Sequence, residues 1–272
     1  MAQFNLHDED SDDVVDYYES AQVSNEATRF LKPSIIGAEV VAITGVLLLS
    51  FVGYQQFGTT AVAKSQQQSA MIDLREVWDE HDTESEEPFE LPGGAFSILH
   101  APDMSEQEFP VFKGTDQATL AQGPGTYGDD IDFAEKGNVG IAAHRDGWNA
   151  PFSEIDKLET CSEITIEDVS RVYEYRVPSS AADPNVRYQE NVDCLGEKAA
   201  SILDREEYAE LKGQHIVDPS QGSVVWSVPG ETKDKSKARL PLLTLTSCHP
   251  HMSNEQRIIA HAVLTDISSK GL

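Results

Sequence analysis

The chain has 272 residues, with 20 Lys and Arg against 47 Asp and Glu and a formal net charge of −27 at pH 7. That length holds one moderate domain with appendages. So acidic a balance argues against a nucleic-acid binder, whose phosphate contacts need clustered Lys and Arg. The acidity is concentrated in two places: residues 1–33 hold eight acids against Arg29 and Lys32, and residues 73–108 hold twelve against Arg75. Such stretches bury too little apolar surface to fold alone and read as solvated chain.

After the acidic tail, the first predicted element is SIIGAEVVAITGVLLLSFVGY, residues 34–54, whose one charge is Glu39. About 20 helical residues cross about 30 Å of hydrocarbon, so the run predicts a single membrane-spanning helix. A cleaved leader and a buried core helix are the competing readings. The run is too long for a leader's apolar region and starts too far into the chain. Arg29 and Lys32 precede it and Lys64 is the nearest base after it, which predicts a cytoplasmic N-terminus and an extracellular C-terminal part. Residues 55–94 follow. Met71, Leu74, Val77 and Trp78 fall at helical spacing, predicting a polar helix beside the membrane, and the acidic remainder ending in Pro92-Gly93-Gly94 reads as a linker.

From residue 95 the pattern changes to short apolar, β-branched runs separated by turn residues: 96–100, 139–144, 162–168, 172–177, 223–228, 240–248 and 257–267. Repeated short strands predict a mainly antiparallel barrel or sandwich. Residues 195–212 interrupt them with a helical composition, and Asp204 is a candidate N-cap.

Three cysteines are present, Cys161, Cys194 and Cys248. Cys248 ends the apolar run LPLLTLTSC, and on its residues alone it reads as a packing residue, a metal ligand with His249 and His251, or a nucleophile. Adjacent ligands on a strand point to opposite faces, which weakens the metal reading. Thiol catalysis needs a proton carrier and an oxyanion donor as well. His144 closes GNVGIAAH and Arg257 opens RIIAHAVL, so a hairpin between the runs ending at 248 and starting at 257 sets Cys248 beside Arg257.

TLTSC, an arginine nine residues on, and a histidine about a hundred residues earlier in AAHRDG together resemble the sortase family, class E in particular. Residues 125–158, 215–230 and 240–264 carry the likeness, with Ser247 where the family usually has Thr and Ala143 where it usually has Gly. The resemblance implies a closed β-barrel of about eight strands over residues 95–272, with an insertion near 180–212, behind the membrane helix. It implies a cysteine transpeptidase in which Cys248, His144 and Arg257 are catalytic and Tyr127, Thr246 and Ser247 contact substrate. The implied partners are exported proteins with a C-terminal LPXTG- or LAXTG-like sorting signal, cut between Thr and Gly, and a cell-wall amine that accepts the acyl group. No metal or organic cofactor is implied. A non-catalytic envelope binding protein and a thiol hydrolase are the alternatives. In an extracellular domain the two remaining thiols, Cys161 and Cys194, are expected to pair as a disulfide.

Overall fold

The computed structural model describes residues 32–54, 58–80, 94–128, 131–209 and 211–270. The acidic tail before residue 32 and the linker at 81–93 lie outside them. The chain divides into two compact units, Met1–Tyr54 and Gln55–Leu272. The described part of the first is helix α1, Lys32–Gly53. Its apolar side chains, among them Val41, Val46, Leu47 and Leu49, are exposed. No helix among the described residues is long and apolar enough to cross a membrane. The expected span is present as a helix and is not shown as a membrane crossing.

The second unit begins with α2, Thr59–Glu80, and continues as β1, Ala95–Ala101; β2, Ser105–Lys113; α3, Gln117–Gln122; β3, Gly125–Thr126; β4, Gly137–Ala142; β5, Glu163–Glu167; β6, Arg171–Arg176; α4, Pro184–Leu195; α5, Glu197–Leu203; β7, Gln214–Val217; β8, Pro241–His249; and β9, Gln256–Ser269. Sheet order is β6-β5-β1-β2-β3-β4-β8-β9-β7, and β9 also pairs with β6. Strand β9 is long enough to do both: Arg257 to Ala260 pair with β7, and Val263 to Ser269 pair with β6. Eight strands thereby close a barrel and β7 flanks it, which removes most of the open edge a flat sheet would carry. Most neighbours are antiparallel, as expected, but β2–β3 and β4–β8 run parallel.

Along β8 side chains alternate between two cores. Leu243 and Leu245 enter the barrel interior with Leu99, Ile141, Ile164 and Tyr175. Leu242 points outward, into a second core with Leu203, Tyr208, Leu211 and Val263. The inserted segment thus covers one wall of the barrel. Its main helix is α4, which starts at Asp183-Pro184. The Asp183 carboxylate accepts from the amides of Asn185 and Val186, and Pro184 takes the first helical position, where its missing N–H costs nothing. Asp204 ends α5 as its C-cap and is not an N-cap. The run 223–228 is not a strand either: Gly222–Val225 is a 3-10 turn and Val228 makes one bridge, to Thr232. Asn138 Nδ2 donates to the carbonyls of Val224 and Trp226, which satisfies the acceptors a ladder would otherwise use.

The face of α2 predicted from its spacing packs on the barrel. Met71, Leu74 and Trp78 meet Ile98 and Val169. Arg75 pairs with Glu108 at 2.7 Å, and the Lys270 ammonium sits 3.7 Å over the Trp78 ring.

Cys161 and Cys194 form a disulfide with Cα atoms 5.4 Å apart, tying the end of α4 to the turn before β5. It closes a loop across a sequence separation of 33. The chain-entropy relation gives such a loop about 3–4 kcal/mol through restriction of the unfolded chain. The double variant Cys161→Ser/Cys194→Ser is expected to lose stability of that order in urea unfolding. An unchanged midpoint would remove the bridge from the stability account.

A polar chain crosses the outer face of the sheet. The Thr244 hydroxyl donates to Asn138 Oδ1 at 2.7 Å and lies 2.8 Å from His261 Nδ1. Burial lowers the pKa of His261 to about 3, with the neighbouring His215 adding to the shift. The unfolded chain binds this proton near pH 6.5 and the folded chain does not until about pH 3. Folding stability therefore falls as pH drops through that window, by up to about 1.4 kcal/mol per pH unit for this group. Unfolding free energy at pH 4.5 should lie on the order of 2 kcal/mol below that at pH 7 on this account, and His261→Gln should narrow the difference.

Candidate active site

Three strand ends build the site. Strands β4 and β8 run parallel with Ala142 beside Thr246, and the amide of Ala143 donates to the Thr246 carbonyl at 3.2 Å. His144 therefore leaves the sheet at the level of Cys248. Strand β9 runs antiparallel to β8 and sets Arg257 directly opposite Cys248. A pleated strand sends alternate residues to one face, so Cys248, Thr246 and Thr244 share the outer face opposite the interior Leu243 and Leu245.

Cys248 is a half-buried free thiol. It shares an open cavity of about 570 Å³ with His144, Arg145, Trp148, Ser253 and Glu255. Burial lowers the His144 pKa below 6.5, and the Asp146 carboxylate offsets part of the shift. His144 is therefore mostly neutral at pH 7. Its ring stacks on Trp148 with centroids 6.2 Å apart, and its Nε2 is buried without a hydrogen-bond partner. Arg257 does not line the cavity. Its Nη1 donates to the carbonyl of Asn254, in the loop that joins β8 to β9, at 3.0 Å and to that of Gln256, the first residue of β9, at 2.8 Å. Its planar fork leaves other N–H groups on the same guanidinium.

Of the expected substrate contacts, Tyr127 and Thr246 do meet, hydroxyl to hydroxyl at 2.7 Å. Gly140 makes room for them: a Cβ there would lie 2.7 Å from Tyr127 Cδ2 and 3.0 Å from Val225 Cγ1. Ser247 lies elsewhere. It is buried and its hydroxyl donates to the Ala143 carbonyl at 2.8 Å, so it ties β8 to the backbone that leads into His144. That is a supporting position, not an open contact. Ala143 is itself buried in the barrel core, so its methyl adds to packing there.

Arg145, Asp146 and Trp148 carry no sequence signal beyond standing directly after His144. Arg145 is 3% exposed and reaches Asp156 at 2.6 Å and His249 Nδ1 at 2.7 Å. A guanidinium only donates, so His249 accepts through Nδ1. Asp146 accepts from the Met252 amide at 2.8 Å and contacts His251 at 2.9 Å. His249 and His251 are thus committed to side chains of the loop after β4, and among the described residues no three His, Cys, Asp or Glu are grouped to hold a metal.

The loop after His144 has an uncommon backbone. Gly147, Trp148, Asn149 and Ala150 have φ of 63°, 52°, 60° and 36°. Left-handed residues other than glycine cost about 1–2 kcal/mol each. Contacts from outside the loop hold it there: Asn149 Nδ2 donates to Gln67 Oε1 of α2 at 2.8 Å and to Gln107 Oε1 of β2 at 3.3 Å.

A closed barrel with cysteine, histidine and arginine at the ends of three adjacent strands defines a class, and the sequence comparisons agree with it. A family model for the sortase domain matches residues 99–265. The chain belongs to the sortase family. It is 30% identical over 228 residues to sortase SrtE1 of Streptomyces coelicolor, a match covering 81% of this chain and 54% of SrtE1. It is 32% identical over 183 residues to SrtE2 of the same organism, covering 61% of this chain and 71% of SrtE2. The SrtF sortase from Corynebacterium diphtheriae superposes with a TM-score of 0.64 at 29% identity, over 70% of this chain and 94% of that one. The chain spans about half the length of SrtE1.

Proposed function

We propose that this chain is a membrane-anchored cysteine transpeptidase acting on exported proteins. The observation that carries the reading is the placement of Cys248 and His144 on one open cavity, with Arg257 across the strand pair from the cysteine. The Cys248 thiolate adds to the carbonyl carbon of the Thr–Gly bond in an LPXTG- or LAXTG-like signal. The addition forms a C–S bond and an oxyanion, and Arg257, paired across the strands from Cys248, is assigned as its permanently charged donor. Protonated His144 delivers its proton to the glycine nitrogen, the C–N bond breaks, and a thioester remains. A cell-wall amine then adds to the thioester carbon, neutral His144 takes its proton, and the thiolate departs. The outer-face groove past Thr246 and Tyr127 receives the signal peptide.

The exposed apolar side chains of α1 support a role as the anchor. With Lys32 at its start, the anchor places residues 1–33 in the cytoplasm and the barrel outside the cell. Helix α2 and the acidic linker to residue 94 join anchor to barrel. Incubating the protein with a fluorescent LAXTG or LPXTG peptide and triglycine tests the reading. The ligated product is expected, together with a peptide thioester on Cys248 in the intact mass. Cleavage with no gain of ligated product on adding amine would make the protein a hydrolase, and no thioester at all would make it a binding protein.

A further inference from the structure

A second cavity, of about 350 Å³, lies beside β7 on the same outer face. It begins next to the catalytic row, since Val217 lines it and pairs with Arg257, which pairs with Cys248. His215 and His261 form its floor, with ring centroids 5.3 Å apart. Glu206, Glu207 and Glu231 line it against one base, Lys212.

The hydrogen-bond network assigns the His261 tautomer. Asn138 uses its amide nitrogen on two carbonyls, so its Oδ1 accepts, and the Thr244 hydroxyl donates to it. The same hydroxyl must then accept from His261 Nδ1–H. His261 is 1% exposed. Its lone pair is left on Nε2, which has no partner among the described residues, in a side chain that lines the cavity. His215 also has an unpartnered ring nitrogen, Nδ1. The floor thus offers the Nε2 acceptor of His261 and the rim is net negative, which repels anions and suits a cation with N–H donors. Among the described residues no three ligating side chains are grouped for a chelated metal, and an organic ammonium matches an acceptor floor under a negative rim.

We infer that this cavity is a second binding site, which takes a protonated primary amine carried by the acyl acceptor away from its reacting amine. The inference rests on the transpeptidase reading above. His261 and Arg257 are four residues apart on β9 and face the same way, about 13 Å along the strand. An acceptor of that span can set one ammonium on His261 and bring its other amine to the Cys248 thioester.

Gly-Gly-Lys amide spans about that distance from its α-amine to its ε-ammonium, and Gly-Gly-norleucine amide lacks only the ammonium. The lysine acceptor is expected to have a KM about tenfold lower, the size of one charge-assisted hydrogen bond. That ratio should collapse to about one in Glu206→Gln/Glu207→Gln and, separately, in His215→Gln. Equal KM values in the wild type, or a ratio that survives both variants, overturn the inference. A direct probe keeps it apart from the catalytic reading. In protein carrying ¹³C-histidine, butylammonium should shift the His215 and His261 ring resonances whether or not peptide is cleaved. No shift, or a shift with Zn²⁺ alone, overturns the site. Ring shifts in a protein that forms no thioester would sink the transpeptidase reading and leave an ammonium pocket.

Discussion

Cys248→Ala is expected to abolish ligation and thioester formation together, with the folded barrel intact. Removing the nucleophile of a covalent mechanism leaves the oxyanion donors and the binding groove but no bond to form, and losses on the order of 10⁴–10⁶-fold follow. The substitution is mild for the fold. Cys248 lies at the last turn of the strand, half-buried, beyond the tightly packed Leu243 and Leu245, so the melting curve should move little. Peptide binding by fluorescence anisotropy should survive, because the Tyr127–Thr246 contact is untouched. A Cys248→Ala protein that still joins peptide to triglycine would end the proposed mechanism. Loss of binding as well as turnover would show that the residue shapes the groove.

His144→Ala is expected to cost about 10²–10⁴-fold in thioester formation, the usual range for a positioned proton carrier. The cavity left beside Trp148 and Cys248 is open to solvent, so added imidazole should restore part of the rate. Burial holds the His144 pKa below 6.5, so the protonated form needed to release glycine is a minor one at pH 7. The acylation rate should therefore rise as pH falls from 8 toward that lowered pKa, when thiolate supply is held constant by comparing activated thioester and amide substrates. An activated substrate with a good leaving group should lose this acid dependence, because its leaving group needs no proton. A His144→Ala protein with an unchanged rate would assign the proton transfer to another group.

Much of this site is legible in the chain. The alternating run 240–248 and the run from 257 to 267 predict two strands, and the short connection between them predicts a hairpin. That hairpin alone brings Cys248 opposite Arg257. The placement of His144 depends on a parallel pairing of β4 with β8 across about a hundred residues, which no local pattern encodes; the family motif supplied it. Apolar periodicity also found the face of α2 but not its partner, since nothing in Met71, Leu74 and Trp78 says which surface covers them. Strand β2 escaped because its first half is polar and exposed and Pro110 stands in it. The run 223–228 misled because Val224, Val225 and Trp226 favour strands, whereas a single amide from Asn138 bends their backbone into a turn. The helix at 184–195 was announced by Asp183-Pro184, and its polar, weakly periodic face hid it.

The bond from Asn149 to Gln67 has a practical consequence for anyone preparing the protein. A fragment starting at the first barrel strand would lack α2, uncover Ile98, and deprive Asn149 of its 2.8 Å contact. The loop that presents the imidazole would then be free to relax toward ordinary right-handed geometry. Soluble preparations should accordingly begin ahead of Thr59, and the length of chain kept upstream should decide how well the loop beside His144 keeps its shape.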